Sequence, residues 1–144
     1  MIMMIVIDGE NCRLGRLGTF VASELKKGEQ VKIINAEKIV ITGDPVQIKQ
    51  NYKALYDIKD ISNPRKSPKM SKRPDLFVKR CIRGMVPHRT PKGAAQMRNL
   101  IALMGSDYPE LKKNAIKAGE LTNTNVKTIT ILEICRYMGW GGKL

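Results

Sequence analysis

The sequence is poor in the residues that build metal centres and disulfide frameworks. Its 144 residues include one histidine and three widely separated cysteines, Cys12, Cys81 and Cys135. No two cysteines form the C-x-x-C pair that is typical of a zinc site, and an odd number of cysteines cannot close a disulfide framework. We therefore expect no bound metal, buried structural thiols and a reducing cytosolic setting.

Long hydrophobic runs are also missing. The apolar residues 1–7 end at Asp8 and have no basic flank, and they are far fewer than the roughly 20 that a membrane helix needs. The sequence therefore predicts no signal peptide, no transmembrane segment and no membrane partner. Its length fits one ordinary domain, residues 1–144, and 42% hydrophobic residues suffice for a buried core.

Acidic residues are scarce, and their scarcity is local. The chain has 26 Lys and Arg against 13 Asp and Glu, a formal charge of +13. Residues 62–98 contain eleven of the basic residues and one acid, Asp75. A run of mixed sign would indicate a solvated face, but a run of one sign repels itself until an anion neutralises it. Residues 62–98 are therefore predicted to bind a polyanion.

Aromatic residues make up only 5% of the chain, and the basic region holds Phe77 alone. Without exposed aromatic rings, we do not expect the stacking platform of single-strand binding modules. Recognition of folded RNA through its shape and phosphates fits better. Arg13 and Arg16, near a helix start, are either phosphate contacts or ordinary exposed arginines. The predicted RNA-binding residues are Arg13, Arg16, Arg65, Lys66, Lys69, Lys72, Arg73, Lys79, Arg80, Arg83, His88, Arg89, Lys92 and Arg98.

Hydrophobic patterning at the start of the chain predicts an α/β fold. An apolar run at residues 2–7 indicates a buried strand, and residues 31–34 indicate a second. Between them, Leu14, Leu17, Val21 and Leu25 have helical spacing, and Gly28 is a plausible helix end. A strand, helix and strand in this order implies a right-handed parallel crossover.

The middle of the chain predicts further helices around a basic arm. Asp44 and Pro45 form a good helix start, after a possible short strand at residues 39–42. Residues 63–74 contain three prolines and five basic residues, which is typical of a loop or extended arm. The next helix begins at Pro74. The residues predicted on its apolar face are Phe77, Val78, Cys81, Ile82 and Met85, opposite Lys79, Arg80 and Arg83, with Leu76 alone on the basic side.

The remaining elements are predicted from shorter patterns. Thr90 and Pro91 begin a helix that we expect to continue to Gly105, with one apolar face formed by Ala94, Met97, Leu100, Ile101 and Met104. Residues 107–125 are polar and poorly periodic. A β-branched run at residues 128–130 precedes a helix at residues 131–138.

Two patterns in the sequence resemble parts of enzyme sites. Gly9, Gly15 and Gly18 lie in a strand-to-helix turn, but a dinucleotide site would need glycine where Arg13 stands, and no G-K-[ST] follows. His88 has no acidic residue within ten positions on either side, so it lacks a neighbouring group to orient it as a general base. We therefore predict no catalytic residues, no cofactor and no small-molecule substrate. An α/β enzyme that uses the turn at residues 9–18 is the alternative, which a nucleotide-induced rise in Tm would support.

Four sequence motifs in register resemble one family. They are LGRL at residues 14–17, NAEKIVITG at 35–43, NPR at 63–65, and RGMVP at 83–87 followed by TPKG at 90–93. The chain resembles the ribosomal protein L13 family in its archaeal and eukaryotic-like form. The resemblance implies a three-layer α/β/α domain around a small, mainly parallel sheet. It also implies a cytoplasmic, non-enzymatic component of the large subunit that joins early in assembly, with ribosomal RNA and neighbouring ribosomal proteins as partners.

The same cationic surface would also serve a different kind of protein. An RNA-binding regulator that controls translation of particular messages outside the ribosome would need the same phosphate contacts. Charge and spacing alone do not separate these two functions. Sedimentation with large subunits through a high-salt wash would separate them.

Overall fold

The computed structural model describes residues 3–105, 107–120 and 125–143. The elements in chain order are β1 (Met4–Asp8), α1 (Leu14–Lys27), β2 (Gln30–Ile34), β3 (Val40–Thr42), α2 (Pro45–Asp57), α3 (Pro74–Arg83), α4 (Pro91–Arg98), β4 (Leu100–Ala102), α5 (Pro109–Lys113), β5 (Thr128–Thr130) and α6 (Ile131–Tyr137). Single 3-10 turns form at Ala36–Lys38 and Pro64–Lys66.

A three-stranded parallel sheet lies at the centre of the fold, in the order β1-β2-β4. Ile7 pairs with Ile33, and Ile33 pairs with Ala102 on the other side. Ile7, Val31, Ile33 and Leu100 are fully buried, as expected of parallel strands covered on their faces. The predicted α/β class with a small, mainly parallel sheet is confirmed. Residue 2, the first residue of the predicted opening strand, lies outside the described residues.

The segment predicted as a third strand joins a separate sheet. Val40 pairs with Thr130, so that β3 and β5 form a two-stranded antiparallel sheet. Thr130 then begins α6, and its side-chain oxygen accepts a hydrogen bond from the backbone N–H of Glu133 at 3.4 Å. The helix predicted at residues 131–138 is confirmed, and Trp140, directly after it, packs partly buried against the core.

The helix α1 has the predicted apolar face. Leu17, Val21 and Leu25 are fully buried, and Leu14 is nearly so. The helix ends at Gly28, whose φ of 96° is in the left-handed region that favours glycine. Periodicity of 3.6 residues therefore predicted both the buried face and the end of this helix correctly.

The helix α2 begins as predicted, and its side chains contact the core without being fully buried. Asp44 accepts a hydrogen bond from the backbone N–H of Gln47 at 3.4 Å, and Pro45 occupies the first turn. Tyr52 contacts Phe77 of α3 edge to face, with ring centroids 5.0 Å apart. Leu55 of the same helix is 43% exposed. The helix has no fully buried residue.

The helix predicted from residue 91 to residue 104 is wrong in its second half. The helix α4 ends at Arg98, and Leu100–Ala102 pairs with β2 as a parallel strand. A short apolar run is compatible with a helix or a strand. Here it forms a strand because it pairs with the free edge of β2. As a result, Ile101 is 42% exposed.

The predicted apolar face of α4 is wrong in part. Met97 packs partly buried against the core, but Ala94 is exposed, and the buried residues are Gly93 and Gln96. A Cβ atom at residue 93 would lie 1.9 Å from the carbonyl oxygen of Pro87. The helix therefore packs closely on the preceding turn through a residue that has no side chain, which hydrophobic periodicity does not detect.

The polar segment after residue 106 contributes more than its composition suggested. The backbone N–H of Ile116 donates to the carbonyl oxygen of Val6 at 2.9 Å, and the backbone N–H of Asp8 donates to the carbonyl oxygen of Ile116 at 3.0 Å. This isolated parallel bridge covers the outer edge of β1. The carbonyl of Gly119 accepts from the backbone N–H of Arg13 at 2.9 Å, next to the start of α1.

Candidate nucleic-acid interface

The basic arm, residues 63–73, follows an ordered turn centred on Asp60. One carboxylate oxygen of Asp60 accepts hydrogen bonds from the Ser62 hydroxyl at 2.7 Å and from the backbone N–H groups of Ser62 and Asn63 at 3.1 and 3.2 Å. The backbone N–H of Asp60 donates to the Ser67 hydroxyl at 2.7 Å. The hydrogen bonds from Ser62 and Asn63 hold the pKa of Asp60 below its usual value. The start of the arm is thus fixed by its own hydrogen bonds.

The cations of the arm divide into two groups. Arg65, Lys66 and Lys69 are exposed. Lys72 is partly buried, with its ammonium 4.8 Å from the centroid of the Tyr56 ring, where it makes a cation–π contact. Arg73 is exposed and forms a two-point ion pair with Asp75, with Nε 3.1 Å from one carboxylate oxygen. The last two arm cations are therefore already engaged by the protein.

The helix α3 separates an apolar face from a cationic face, as predicted. Phe77, Val78 and Ile82 are fully buried. Arg80 and Arg83 are exposed, and Lys79 is partly exposed. The guanidinium of Arg80 donates through Nε to the backbone carbonyl of Lys69 at 3.4 Å, which ties the arm to the helix.

The segment between α3 and α4 presents its cations from a hydrogen-bonded turn. The ring nitrogen Nδ1 of His88 lies 3.0 Å from the carbonyl oxygen of Arg83, to which it donates when Nδ1 carries the hydrogen. The Thr90 hydroxyl caps α4 by accepting from the backbone N–H of Gly93 at 3.1 Å. Arg89 and Lys92 are exposed beside this helix start, whose N–H groups and dipole attract phosphate.

A groove lies between the arm, α3 and α4. Its volume is about 440 Å³. Its cations are Lys69, Lys79, Arg80 and Arg83, and its apolar residues are Met70, Leu76 and Met97, with Ser71 between them. We call it the basic groove. Four predicted site residues are brought together here, and the apolar residues are the part that the sequence prediction missed.

Arg13 lies at a different place. It lines a second cavity of about 300 Å³, together with Tyr52 and Cys81, and shares no lining residue with the basic groove. Its Nε atom is buried and has no hydrogen-bond partner among the described residues. Arg16 is exposed on the first turn of α1. Of the other predicted contacts, Arg98 is exposed at the end of α4.

The three cysteines are free thiols. Cys12 and Cys135 are buried, as predicted, and Cys81 is partly buried. Burial raises the pKa of Cys81 to about 11 and that of Cys135 to about 12, so both are uncharged near neutral pH. Within residues 3–105, 107–120 and 125–143, no three His, Cys, Asp or Glu residues form a possible metal site. No helix in the described part of the chain is long and apolar enough to cross a membrane.

An α/β body with a single-sign cationic face has the electrostatic footprint of the nucleic-acid-binding class of proteins. Comparison with known proteins identifies the family. The family model described as ribosomal protein L13 matches residues 2–109. The protein named large ribosomal subunit protein uL13 from Methanococcus maripaludis is 38% identical over 137 residues, which cover 94% of this chain and 98% of that protein. Its namesake from Methanosphaera stadtmanae is 45% identical over 104 residues, 72% of this chain and 73% of its own length.

A third relative, the uL13 protein of Methanocaldococcus jannaschii, is 36% identical over 94% of this chain and 98% of its own length. The chain belongs to the ribosomal protein L13 family, which confirms the resemblance drawn from its motifs. It is therefore a ribosomal protein with a structural role and not an enzyme. Its location is the cytoplasmic ribosome.

Proposed function

We propose that this protein is a component of the large ribosomal subunit that binds the ribosomal RNA through phosphate contacts of residues 62–98 and joins early in assembly. Its contacts are the fourteen arginine, lysine and histidine residues predicted from the sequence, with Arg13 and Arg16 as a second, smaller site. Neighbouring large-subunit proteins are its other partners. The names of the relatives support the assignment to the large ribosomal subunit.

The observation that carries the proposal is the contrast between two sets of cations. Outside residues 62–98, five lysines of the described residues pair with acids; Lys27 with Glu24 at 2.7 Å and Lys53 with Asp57 at 3.1 Å are examples. In residues 62–98, nine of the eleven cations are exposed. Within the part of the chain that the structure describes, an ion pair engages only Arg73 of the eleven. The unpaired charge is available to a polyanion.

A rigid frame supports the same conclusion. The cations of α3 project from a helix whose opposite face is fully buried, and the arm is joined to that helix through Arg80 and Lys69. Fixed cations lose less conformational freedom on binding than cations on a flexible tail. A surface of this kind is suited to phosphates at set positions in folded RNA.

The test uses protein-free large-subunit RNA and the full chain. If about six phosphates are neutralised, log affinity should fall with log salt at a slope of about −4 to −5. The triple variant Lys79→Glu, Arg80→Glu and Arg83→Glu should bind more weakly, with the slope reduced by about 3. Its circular dichroism should stay unchanged because these side chains lie off the apolar face.

The matched control is the triple variant Lys26→Glu, Lys112→Glu and Lys113→Glu. It has the same change in net charge, also reverses cations in last turns of helices, and lies outside the proposed surface. It should keep most of the affinity. Equal losses in the two variants, or a flat salt response of the unmodified protein, would contradict the proposal. Early action in assembly further requires binding to RNA that carries no other protein.

A further inference from the structure

The basic groove has a composition that phosphate binding leaves unexplained. Phosphates need cations and N–H donors, yet the lining includes Met70, Leu76 and Met97. Leu76 is 43% exposed and stands among the cations of α3, away from the buried face of that helix. The ligand of this groove therefore has an apolar part as well as negative charge.

The groove is built from parts held in place by the core. One wall is α3, fixed by Phe77 and Ile82. The other wall is the arm, whose carbonyl at Lys69 accepts the hydrogen bond from Arg80. Met97 comes from α4, which is anchored by the close approach of Gly93 to Pro87. At about 440 Å³, the space is within the range of about 300–1,000 Å³ that takes small organic ligands.

We propose that the basic groove takes one unstacked nucleotide of the ribosomal RNA. The base lies on Met70, Leu76 and Met97, and its flanking phosphates lie against the four cations of the rim. This inference rests on the proposed function, and it names a feature of the RNA that the function alone does not require: an extruded base at this site. Specific RNA recognition commonly uses such splayed bases.

The chemistry of the lining fits a base in the absence of aromatic rings. Methionine is flexible and polarisable, so that Met70 and Met97 can adapt to a flat ring. The guanidinium planes of Arg80 and Arg83 can stack on a base and also neutralise its phosphates. One nucleotide needs no run of aromatic residues, which agrees with the absence of a stacking platform.

Charge complementarity favours a nucleotide over an acidic peptide as the occupant. Positive charge continues in the chain on both sides of the four groove cations, at Arg65 and Lys66 before them and at Arg89 and Lys92 after them, and all four of these residues are exposed. An RNA strand has a negative charge at every nucleotide and can neutralise such an extended field. A peptide anchored in the groove would leave most of it unpaired.

The experiment compares two RNA probes and three full-length proteins. The probes are a short RNA duplex and the same duplex with one unpaired uridine. The unmodified protein should bind the bulged duplex about tenfold more tightly, the size expected for stacking of one base. Leu76→Ala should lose most of this preference and keep its affinity for the plain duplex.

The matched control is Leu55→Ala. Leu55 is also a helical leucine that is 43% exposed, and it lies on α2 away from the groove. It should retain the full preference for the bulged duplex. Circular dichroism should show both variants folded, because neither leucine is buried.

The outcomes separate this inference from the proposed function. Salt-dependent binding of both RNAs with no preference for the bulge, or a preference untouched by Leu76→Ala, would overturn the nucleotide site and leave the rRNA function intact. No salt-dependent binding of either RNA would overturn both. An amphipathic Glu/Leu peptide is the competing occupant. If Leu76→Ala abolished binding of this peptide but kept the preference for the bulged duplex, the groove would be a protein-docking site and the inference would be wrong.

Discussion

Replacement of Phe77 by alanine tests whether the core and the cationic face of α3 are separable. The Phe77 ring is fully buried and contacts Tyr52 edge to face at 5.0 Å. Removal of a buried phenylalanine costs about 3–5 kcal/mol, which includes the cavity that is left. Alanine regains only about 0.5 kcal/mol through its higher helix propensity. We therefore expect the free energy of unfolding to fall by about 3–4 kcal/mol.

The measurement is urea denaturation of the isolated full chain, followed by circular dichroism at 222 nm. A loss of this size is a large share of the about 5–15 kcal/mol of a typical domain. The Tm should fall by roughly 8–14 °C at this chain length. At low temperature, where the variant remains folded, its affinity for RNA should be close to that of the unmodified protein because no cation is changed.

The control for Phe77→Ala is Leu76→Ala, one position earlier on the same helix. Because Leu76 is 43% exposed, its removal should cost less than about 1 kcal/mol. Nearly equal losses from the two substitutions would refute the assignment of faces on α3. So would a cost below about 1.5 kcal/mol for Phe77→Ala, since the ring would then not be enclosed by the core.

Two further predictions concern the segments that hold the cationic face in place. Gly93→Ala should destabilise the protein by about 1–3 kcal/mol in urea denaturation, because its Cβ would meet the backbone of Pro87 at 1.9 Å; Gly15→Ala, with no atom within 4 Å, should be neutral or gain up to about 1 kcal/mol. A harmless Gly93→Ala would contradict the packing of α4. Since its hydrogen bonds lower the pKa of Asp60, the turn at the start of the arm should be stable above the unfolded value of about 3.9 and be lost as pH falls through the folded value. NMR titration of the Asp60 carboxyl carbon should show a pKa below 3.9, and a value at or above it would contradict the turn.

The sequence predicted those parts of the fold that local patterns determine. In α1 and α3 the apolar residues repeat with the helical period, and burial follows that period closely. The apolar residues between Ala94 and Met104 also fit a helical period, but Leu100–Ala102 is a strand because its conformation depends on the free edge of β2. Its structure was therefore decided by a partner distant in sequence.

The candidate site also has one part that the sequence predicts directly and one part that depends on contacts in the fold. The concentration of charge in residues 62–98 is a property of composition, so it can be counted directly. The basic groove depends on the fold of the arm against α3 through Arg80 and Lys69, eleven residues apart. In the sequence, Met70 is the apolar residue of the basic arm, and Leu76 is the one apolar residue on the basic side of α3. Their common location could not be derived without that contact.

Asp75 shows how the protein keeps its cationic face free of internal neutralisation. It is the one acid of residues 62–98, and it lies in the first turn of α3, where a negative charge stabilises the helix dipole. Asp75 is buried, and its side chain pairs with Arg73. The carboxylate therefore contributes to the start of the helix and subtracts little from the outward field of Lys79, Arg80 and Arg83. Stability resides in the buried face of α3 and in the acidic residue of its first turn, while the opposite face keeps its charge for a partner.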